Sequence, residues 1–342
     1  LKPLRRKKQI RKKRRRKKTR RISYFKMKHE SMSMYNNNNN NSRYNSKFQR
    51  VPKKNNMKLQ VFIVTFVLSI TMVCQAQNEK IKVFLLAGQS NMDGRGDGSK
   101  LTDKDLSLLK KAQENILFAY NRENITPLKI TTPKPFHAQK FNLELIFGPE
   151  LFFGIELAKK YPKDKMLLIK RSVGGTSLYG CWNPNWTEEK AKVMSEEKKP
   201  KLYTDFINYT KEVLSVYNKE EYEICGMLWV QGEADSGVKK YGETPANEYG
   251  SNLHDLIKAV RTDLDIPNLP FQIFQVGRGK VVEGMKSVAS SMNNVSFIPQ
   301  NLDPKSPDYL KTYGPPIGHY NYESMKKIGQ GFAKDFIENY GL

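Results

Sequence analysis

The chain has 342 residues and a formal charge of +25, a basic excess that is typical of nucleic-acid-binding proteins. The excess is confined to one end, because residues 1–76 contain 23 Lys and Arg against a single acidic residue, Glu30. Residues 77–342 carry 36 basic and 33 acidic residues, a net charge of +3. No nucleic-acid partner is therefore expected for the folded part.

The first 56 residues are expected to be disordered. Residues 5–21 are almost entirely Lys and Arg, and residues 36–41 are all Asn, so neither stretch can bury apolar surface. A basic tract directly before an export signal makes little functional sense. We therefore interpret Met57 as the native start and 1–56 as foreign to the native protein. The alternative is a nuclear-targeting or RNA-binding arm.

Residues 57–76 have the pattern of a secretory signal peptide. A short basic start precedes an apolar run over 61–73, and Ala76 supplies the small residue of a cleavage site. The apolar run is too short for a membrane span, so no stable membrane insertion is expected after cleavage. The sequence predicts a secreted or periplasmic domain over 77–342. A lipoprotein modified at Cys74 is the alternative, although the residue before it, Val73, is not the usual small one.

The domain alternates strands with helices. Apolar runs predict strands at 81–87, 116–120, 166–170, 224–230, 271–276 and 295–298. Amphipathic patterns predict helices at 103–115, 149–160, 202–217, 247–264, 281–292 and 324–340. The composition of 121–141 is typical of a surface loop, and that of 181–201 of an exposed insertion. This alternation predicts an α/β fold, a three-layer α/β/α sandwich around a parallel, flavodoxin-like sheet of about five strands.

Two cysteines, Cys181 and Cys225, remain in the domain. They could pair in an exported protein, but Cys225 lies in an apolar run where a buried free thiol is equally expected. The sequence has no CxxC motif and no histidine cluster, so neither a metal nor another cofactor is predicted.

Four polar, glycine-bearing stretches follow predicted strands, at 88–96, 172–177, 231–235 and 313–321. The carboxyl ends of parallel strands meet at one edge of a sheet, where such folds place their active-site crevice. Ser90 in the first stretch is the candidate nucleophile. His319 in the fourth is the one histidine that this topology delivers to the crevice, and it is the candidate base.

The oxyanion of an ester reaction needs hydrogen-bond donors beside the nucleophile. The backbone N–H groups of Ser90 and of Gly174 or Gly175 are candidates, together with the side-chain amide of Gln231. Glycine suits this role because no side chain blocks the approach of a ligand.

Several motifs in this order resemble those of a known family. They are Gly88-Gln-Ser-Asn-Met92, Gly148-Pro149, Ser172-Val-Gly-Gly-Thr-Ser177 and Trp229-Val-Gln-Gly-Glu-Ala-Asp235. Together they resemble the sialate O-acetylesterase and carbohydrate esterase family 6 (acetylxylan esterase) branch of the SGNH hydrolases, over about residues 82–333. The resemblance implies the SGNH hydrolase fold and metal-independent deacetylation of carbohydrate. It also implies Ser90 as nucleophile, His319 as base, and Ser90, Gly175 and Gln231 as the oxyanion group.

One position departs from the family pattern. The family usually has an Asp three residues before the histidine to orient the imidazole, and Pro316 stands there in this chain. Glu233 or Asp235 could supply the carboxylate, or Asp303 or Asp308 could reach in. A backbone carbonyl of the 313–318 loop could also orient His319 and leave a Ser–His dyad, the arrangement we favour, with Glu233 and Asp235 supporting the crevice loops.

The sequence thus predicts an exported carbohydrate O-acetylesterase acting on an acetylated glycan. A catalytically impaired glycan-binding module on the same fold is the alternative. Trp182, Trp186 and Tyr179 could stack on sugar rings or pack in the core. Arg95 and Arg171 could contact acidic substrate groups or form structural salt bridges. The identity of the glycan depends on the loops 121–147 and 178–201.

Overall fold

The computed structural model describes residues 79–314 and 318–342. The basic segment 1–56, the predicted signal peptide 57–76 with Cys74, and Pro316 lie outside the described residues. Within the described ranges, no helix is both long enough and apolar enough to cross a membrane.

A seven-stranded sheet forms the centre of the fold. Its strands, in chain order, are β1 (Ile81–Gly88), β3 (Ile116–Tyr120), β4 (Thr126–Pro127), β6 (Met166–Ser172), β7 (Tyr222–Val230), β8 (Phe271–Phe274) and β9 (Val295–Ile298). Their spatial order is β4-β3-β6-β1-β7-β8-β9. All neighbours are parallel except β3 and β4. The short strands β2 (Gly96–Asp97) and β5 (Ile146–Phe147) form a separate antiparallel pair.

The described part of the chain contains eleven α-helices. They are α1 (Ser90–Asp93), α2 (Asp103–Ala112), α3 (Pro135–Phe141), α4 (Pro149–Lys160), α5 (Glu188–Val193), α6 (Leu202–Leu214), α7 (Val238–Tyr241), α8 (Thr244–Asn247), α9 (Tyr249–Asp263), α10 (Lys280–Ser291) and α11 (Tyr322–Asn339).

Aromatic side chains anchor helices to both faces of the sheet. On one face, Phe84 of β1 makes edge-on contacts with Phe153 of α4 and Phe336 of α11, with ring centroids 5.1 and 4.9 Å apart. The strand register places Trp229 of β7 on the opposite face. There its indole N–H donates to the hydroxyl of Tyr249 on α9, 3.3 Å away. Burial on both faces explains the continuous apolar run from Val83 to Ala87 within β1.

The strand count differs from the prediction. The sheet has seven strands instead of about five, because β3 joins it beyond β6 and β4 adds two residues at the edge. Pro127 in β4 is tolerated there because proline lacks the N–H that a central strand must donate. The other five strands, β6-β1-β7-β8-β9, lie in the flavodoxin-like order.

Two predicted loops also differ from the structure. The stretch 121–141 contains β4 and the helix α3, which begins with Pro135 at its first position. The stretch 181–201 is not an exposed insertion, because it contains α5 and buries Cys181, Trp182 and Glu196.

Asp105 joins α2 to the last helix. It completes a capping box with Thr102 at the start of α2. It also accepts hydrogen bonds from the Tyr322 hydroxyl and from Lys326 Nζ, both at 2.7 Å. Burial alone would raise the pKa of Asp105, but the hydrogen bonds from Lys326, Tyr322 and Thr102 lower it to about 2.

This pKa predicts an acid-dependent stability. A carboxyl whose pKa is lower in the folded state stabilises the fold above its unfolded value, and the contribution is lost as the pH falls from about 4 through about 2. Between about pH 5 and pH 2, the free energy of unfolding of the wild type should fall by about 2 kcal/mol more than that of Asp105→Asn. Urea titrations measure this, with Asp103→Asn on the exposed side of the same turn as control. Parallel pH curves for wild type and Asp105→Asn would rule it out.

Candidate active site

Three crevice loops meet beside β1, where the order of successive strands in the sheet reverses. The chain leaves β1 for strands on one side and later returns to β7 on the other. At the carboxyl edge, Gly88 is in register with Ser172 at the end of β6 and with Val230 at the end of β7. The loops that follow these residues therefore lie side by side at a topological switch point, as predicted.

The turn before Ser90 requires a glycine. A Cβ on Gly88 would lie 2.1 Å from the carbonyl oxygen of Val230, and the φ angle of Gly88 is +150°. This close approach lets the Gln89 N–H donate to Val230 O at 3.0 Å, while Gly88 O accepts from the Val173 N–H at 3.2 Å. Ser90 then opens the four-residue helix α1 and is 8% exposed.

The loop after β6 lies against Ser90. A Cβ built on Gly174 would be 3.5 Å from the Cβ of Ser90, so the Gly174 backbone borders the candidate nucleophile directly. Gly175 has a φ of +66° and open space where a Cβ would lie, and its carbonyl accepts from Lys199 Nζ at 2.7 Å. Lys199 is in turn paired with Glu196 at 3.2 Å. Lys199 therefore holds the Gly175 carbonyl in place.

Asp235 and Gln231 connect the loops after β6 and β7. Both are fully buried. The carboxylate of Asp235 accepts from the N–H groups of Leu178 and Tyr179, each at 2.9 Å, and from Gln231 Nε2 at 2.5 Å. Burial raises the pKa of Asp235 to about 7, against the effect of these three donors. These contacts are those of a carboxylate that supports the loops.

The amide of Gln231 already has protein partners. Its Nε2 lies 2.5 Å from Asp235, 3.1 Å from Thr176 O and 3.3 Å from Gln89 Oε1, three acceptors for two protons. A hydrogen bond from this amide to an oxyanion would therefore replace one of these bonds.

Asn91 links the Ser90 turn to the loop that carries His319. Its Nδ2 donates to Glu233 Oε1 at 2.6 Å, and its Oδ1 accepts from the backbone N–H of Tyr320 at 3.4 Å. Each end of this link is the direct neighbour of a candidate catalytic residue, Ser90 on one side and His319 on the other. The fourth crevice loop thus meets the other three.

Glu233, which accepts the hydrogen bond from the Asn91 amide, is half-buried. Burial raises its pKa, although the hydrogen bond from Asn91 opposes the shift. Its second oxygen, Oε2, is buried with no hydrogen-bond partner in the described part of the chain. Glu233 also contributes to the raised pKa of Tyr320, whose main cause is burial, so the two side chains are close.

His319 is half-buried. Its ring makes an edge-on contact with Phe141 of α3, with centroids 5.3 Å apart. Its carbonyl accepts from the Tyr313 N–H at 2.8 Å. Pro316 lies outside the described residues, so the group that orients the imidazole stays a prediction.

A buried charge network supports the Ser90 turn from below. Asp93 of α1 accepts from Arg95 Nη1 at 2.6 Å, from Ser172 Oγ at 3.1 Å and from the Tyr120 hydroxyl. Burial alone would raise the pKa of Asp93, but the positive charges of Arg95 and Lys170 hold it below its ordinary value. The turn is thus held by an ionised carboxylate at neutral pH.

A second ion pair completes this network. Lys170 Nζ lies 2.6 Å from Glu150 Oε2, with both side chains 1% exposed, and it also donates to the backbone oxygen of Asp93 at 3.0 Å. Two acidic and two basic side chains therefore balance under the turn, which limits the cost of burying each charge.

The model of a family described as "Carbohydrate esterase, sialic acid-specific acetylesterase" matches residues 80–338. The chain belongs to this family. The resemblance inferred from the motifs is therefore confirmed.

One curated relative and two solved structures agree with membership of this carbohydrate esterase family. A probable carbohydrate esterase of Arabidopsis thaliana is 25% identical over 272 residues, covering 76% of this chain and 91% of that protein. The crystal structure of that Arabidopsis protein matches with a TM-score of 0.53 and 23% identity over 76% of this chain and 99% of its own. The structure of NanS matches with a TM-score of 0.52 and 15% identity, over 76% and 97% of the two chains. These structural likenesses show a shared fold.

Two substrate-binding candidates of this carbohydrate esterase occupy structural positions. Trp182 is fully buried, packs edge-on against Trp229 at 5.3 Å and donates its indole N–H to Thr176, so it presents no face to a sugar. Arg95 is 1% exposed and paired with Asp93. Of the alternatives that the sequence left open, the core and the salt bridge are the ones observed. Arg171 likewise pairs with Asp205 at 2.6 Å.

Neither the cysteines nor the possible metal ligands of the described residues form a covalent or metal link. Cys181 and Cys225 are both free thiols. Burial raises the pKa of Cys225 to about 12, and it raises that of Cys181 further. In the described ranges, no group of three His, Cys, Asp or Glu side chains is arranged to hold a metal ion.

Two residues near the site were missed in the sequence. Asn91 was overlooked although it stands next to Ser90 in a polar turn. His137 falls in the stretch 121–141, whose composition predicts a surface loop, but it lies on α3 with Nδ1 3.3 Å from Arg95 Nη2. Pro135 at a helix start, followed by the i,i+4 pair His137 and Phe141, is a signal that could have indicated this helix.

Proposed function

We propose that this chain is an exported carbohydrate O-acetylesterase that removes acetyl groups from a glycan through a covalent acetyl intermediate on Ser90. The observation that carries the proposal is the link made by Asn91. It joins the Ser90 turn to the backbone beside His319, at the switch point where this fold class places its active sites. Membership of the carbohydrate esterase family supports ester hydrolysis as the reaction.

The proposed reaction has two steps. His319 takes the proton from Ser90 Oγ, which attacks the acetyl carbonyl carbon. The bond from that carbon to the sugar oxygen then breaks, and the sugar oxygen leaves with the proton from His319. In the second step His319 takes a proton from water, which attacks the acetyl-enzyme, and acetate leaves as Ser90 Oγ regains its proton.

The oxyanion formed in each step is met by the backbone N–H groups of Ser90 and Gly175, with the Gln231 amide as the third donor. The contact of Gly174 with Ser90 supports this arrangement because it brings the 174–175 peptide to the nucleophile. The hydrogen bond from Lys199 to the Gly175 carbonyl holds the next peptide, and so limits movement of the residue whose N–H is proposed to donate.

Glu233 and Asp235 support the site instead of acting on substrate. Asp235 holds the loops after β6 and β7 together, and Glu233 holds Asn91. We propose that His319 works with Ser90 as a dyad, oriented by a backbone carbonyl of its own loop, which lies partly outside the described residues. Glu233 is the alternative orienting group, because its Oε2 is buried without a partner among the described residues.

The reaction is tested by measuring acetate release. The full chain is incubated with acetylated xylan, with an O-acetylated sialic acid and with p-nitrophenyl acetate. Release of acetate from at least one of the two sugars is the expected result, and the preferred sugar separates the acetylxylan from the sialate type. Binding of these sugars without any acetate release would replace the proposal by a glycan-binding module. Mass spectrometry of the native amino terminus tests export, with a start at Gln77 expected.

A further inference from the structure

A row of rings leads from the surface to the candidate catalytic histidine. Phe136 at the outer end is 68% exposed. Its ring lies 5.8 Å from that of His137, which lies 5.7 Å from Phe141, which in turn contacts His319 at 5.3 Å. Three of these four rings belong to α3. A single exposed phenylalanine is ordinary, but this one is the outer end of a continuous path to the reaction centre.

Two cationic side chains, Arg95 and Lys140, lie close to rings of this row. The Arg95 guanidinium carbon lies 5.3 Å from the centre of the Phe141 ring, and Lys140 Nζ lies 5.4 Å from Phe141 and 6.0 Å from Phe136. Arg95 also lies near the loop that borders Ser90, because its Nη2 would be 3.9 Å from a Cβ built on Gly174. The helix α3 is therefore joined to both candidate catalytic residues, by Phe141 to His319 and by Arg95 to the Ser90 turn.

His137 adds a neutral hydrogen-bond donor to the row. A guanidinium can only donate, so the contact of 3.3 Å from Arg95 Nη2 makes His137 Nδ1 the acceptor. The ring proton of the neutral imidazole must then sit on Nε2. Burial lowers the pKa of His137, and the charge of Arg95 lowers it further, which favours this neutral form at neutral pH.

Aromatic faces beside a polar donor are the usual means of binding sugars, whose rings have an apolar C–H face and hydroxyls at the edge. We propose that α3 forms the subsite for the pyranose ring that carries the acetyl ester, with Phe136 stacking on the ring and His137 Nε2–H donating to one of its hydroxyls. This inference rests on the proposed function. Acetylated xylan and O-acetylated sialic acids both present an acetylated pyranose. The test separates the two, because the first is neutral and the second is acidic.

The kinetic test compares sugar esters with an ester that has no sugar. For Phe136→Ala, the ratio of kcat/KM on an acetylated xylo-oligosaccharide or an O-acetylated sialic acid to kcat/KM on p-nitrophenyl acetate should fall by about tenfold. Phe136→Tyr, which keeps the aromatic face, should retain the ratio. Val216→Ala is the control, because Val216 is exposed just beyond α6, before the start of β7. An unchanged ratio in Phe136→Ala with both sugars would overturn the subsite.

A binding test is independent of catalysis. Calorimetry with the Ser90→Ala protein measures the dissociation constants of the same two sugar esters, and adding Phe136→Ala should raise the constant of the preferred one by about tenfold. Equal constants, or no measurable binding of either ester to Ser90→Ala, would overturn the subsite. A chain that releases no acetate but loses sugar binding with Phe136→Ala would overturn the esterase and leave the subsite standing.

Discussion

Replacing Ser90 with alanine is expected to lower kcat for acetate release by about 10⁴-fold or more, because loss of the nucleophile removes the covalent route entirely. Acetate release from p-nitrophenyl acetate and from the preferred acetylated sugar measures the effect. The fold should be largely unaffected, because the change removes only one oxygen atom and keeps the Cβ of this buried residue.

Ser290→Ala is the matched control for this variant. Ser290 is an exposed serine on α10 whose hydroxyl donates to the backbone of its own helix, at Ser287 O. It should retain wild-type kcat within about twofold, as is usual for surface substitutions. A Ser90→Ala protein with more than about a tenth of the wild-type kcat would contradict the proposed mechanism.

Replacing His319 with alanine is expected to lower kcat by about 10²- to 10⁴-fold, the usual contribution of a positioned general base. The proton of Ser90 then loses its proposed acceptor. Added imidazole should restore part of kcat, because it can occupy the space left by the side chain and take the same proton. The measurement is kcat on p-nitrophenyl acetate as a function of imidazole concentration.

His254→Ala controls for the loss of a histidine elsewhere. His254 is 44% exposed on α9, with its Nδ1 3.6 Å from a carboxylate oxygen of its neighbour Asp255, and it lies outside the crevice loops. It should keep wild-type kcat and show no imidazole dependence. A His319→Ala protein that retains most of its activity, or one that imidazole does not rescue at all while the fold is intact, would remove His319 from the role of base.

The sheet could be predicted because its residues follow simple periodic rules. Five apolar residues from Val83 to Ala87 predict a strand buried on both faces, and the structure buries all five completely. Helix α4 has the predicted bounds because Pro149 begins it and an apolar stripe continues to its end. The strand β4 was missed because two residues carry no periodic signal.

The site could be predicted only where it follows from topology. Ser90 and Gln231 follow adjacent strands, so their proximity is a consequence of strand order. The place of Trp182 was open because a tryptophan in a charged stretch can lie on either side of the surface, and packing with Trp229 decides it. The approach of α3 to His319 could not be predicted, because it depends on tertiary contacts between segments about 180 residues apart in the chain.

The nucleophile can be tested directly with a fluorophosphonate, which forms a stable bond only with an activated serine. The labelled protein is digested, and mass spectrometry locates the modified peptide. The expected result is one label per chain, on Ser90, with loss of activity in proportion to labelling and no label on the Ser90→Ala protein. Inactivation with the label on another residue, or full activity in a chain labelled at Ser90, would contradict Ser90 as the residue that carries the acetyl group.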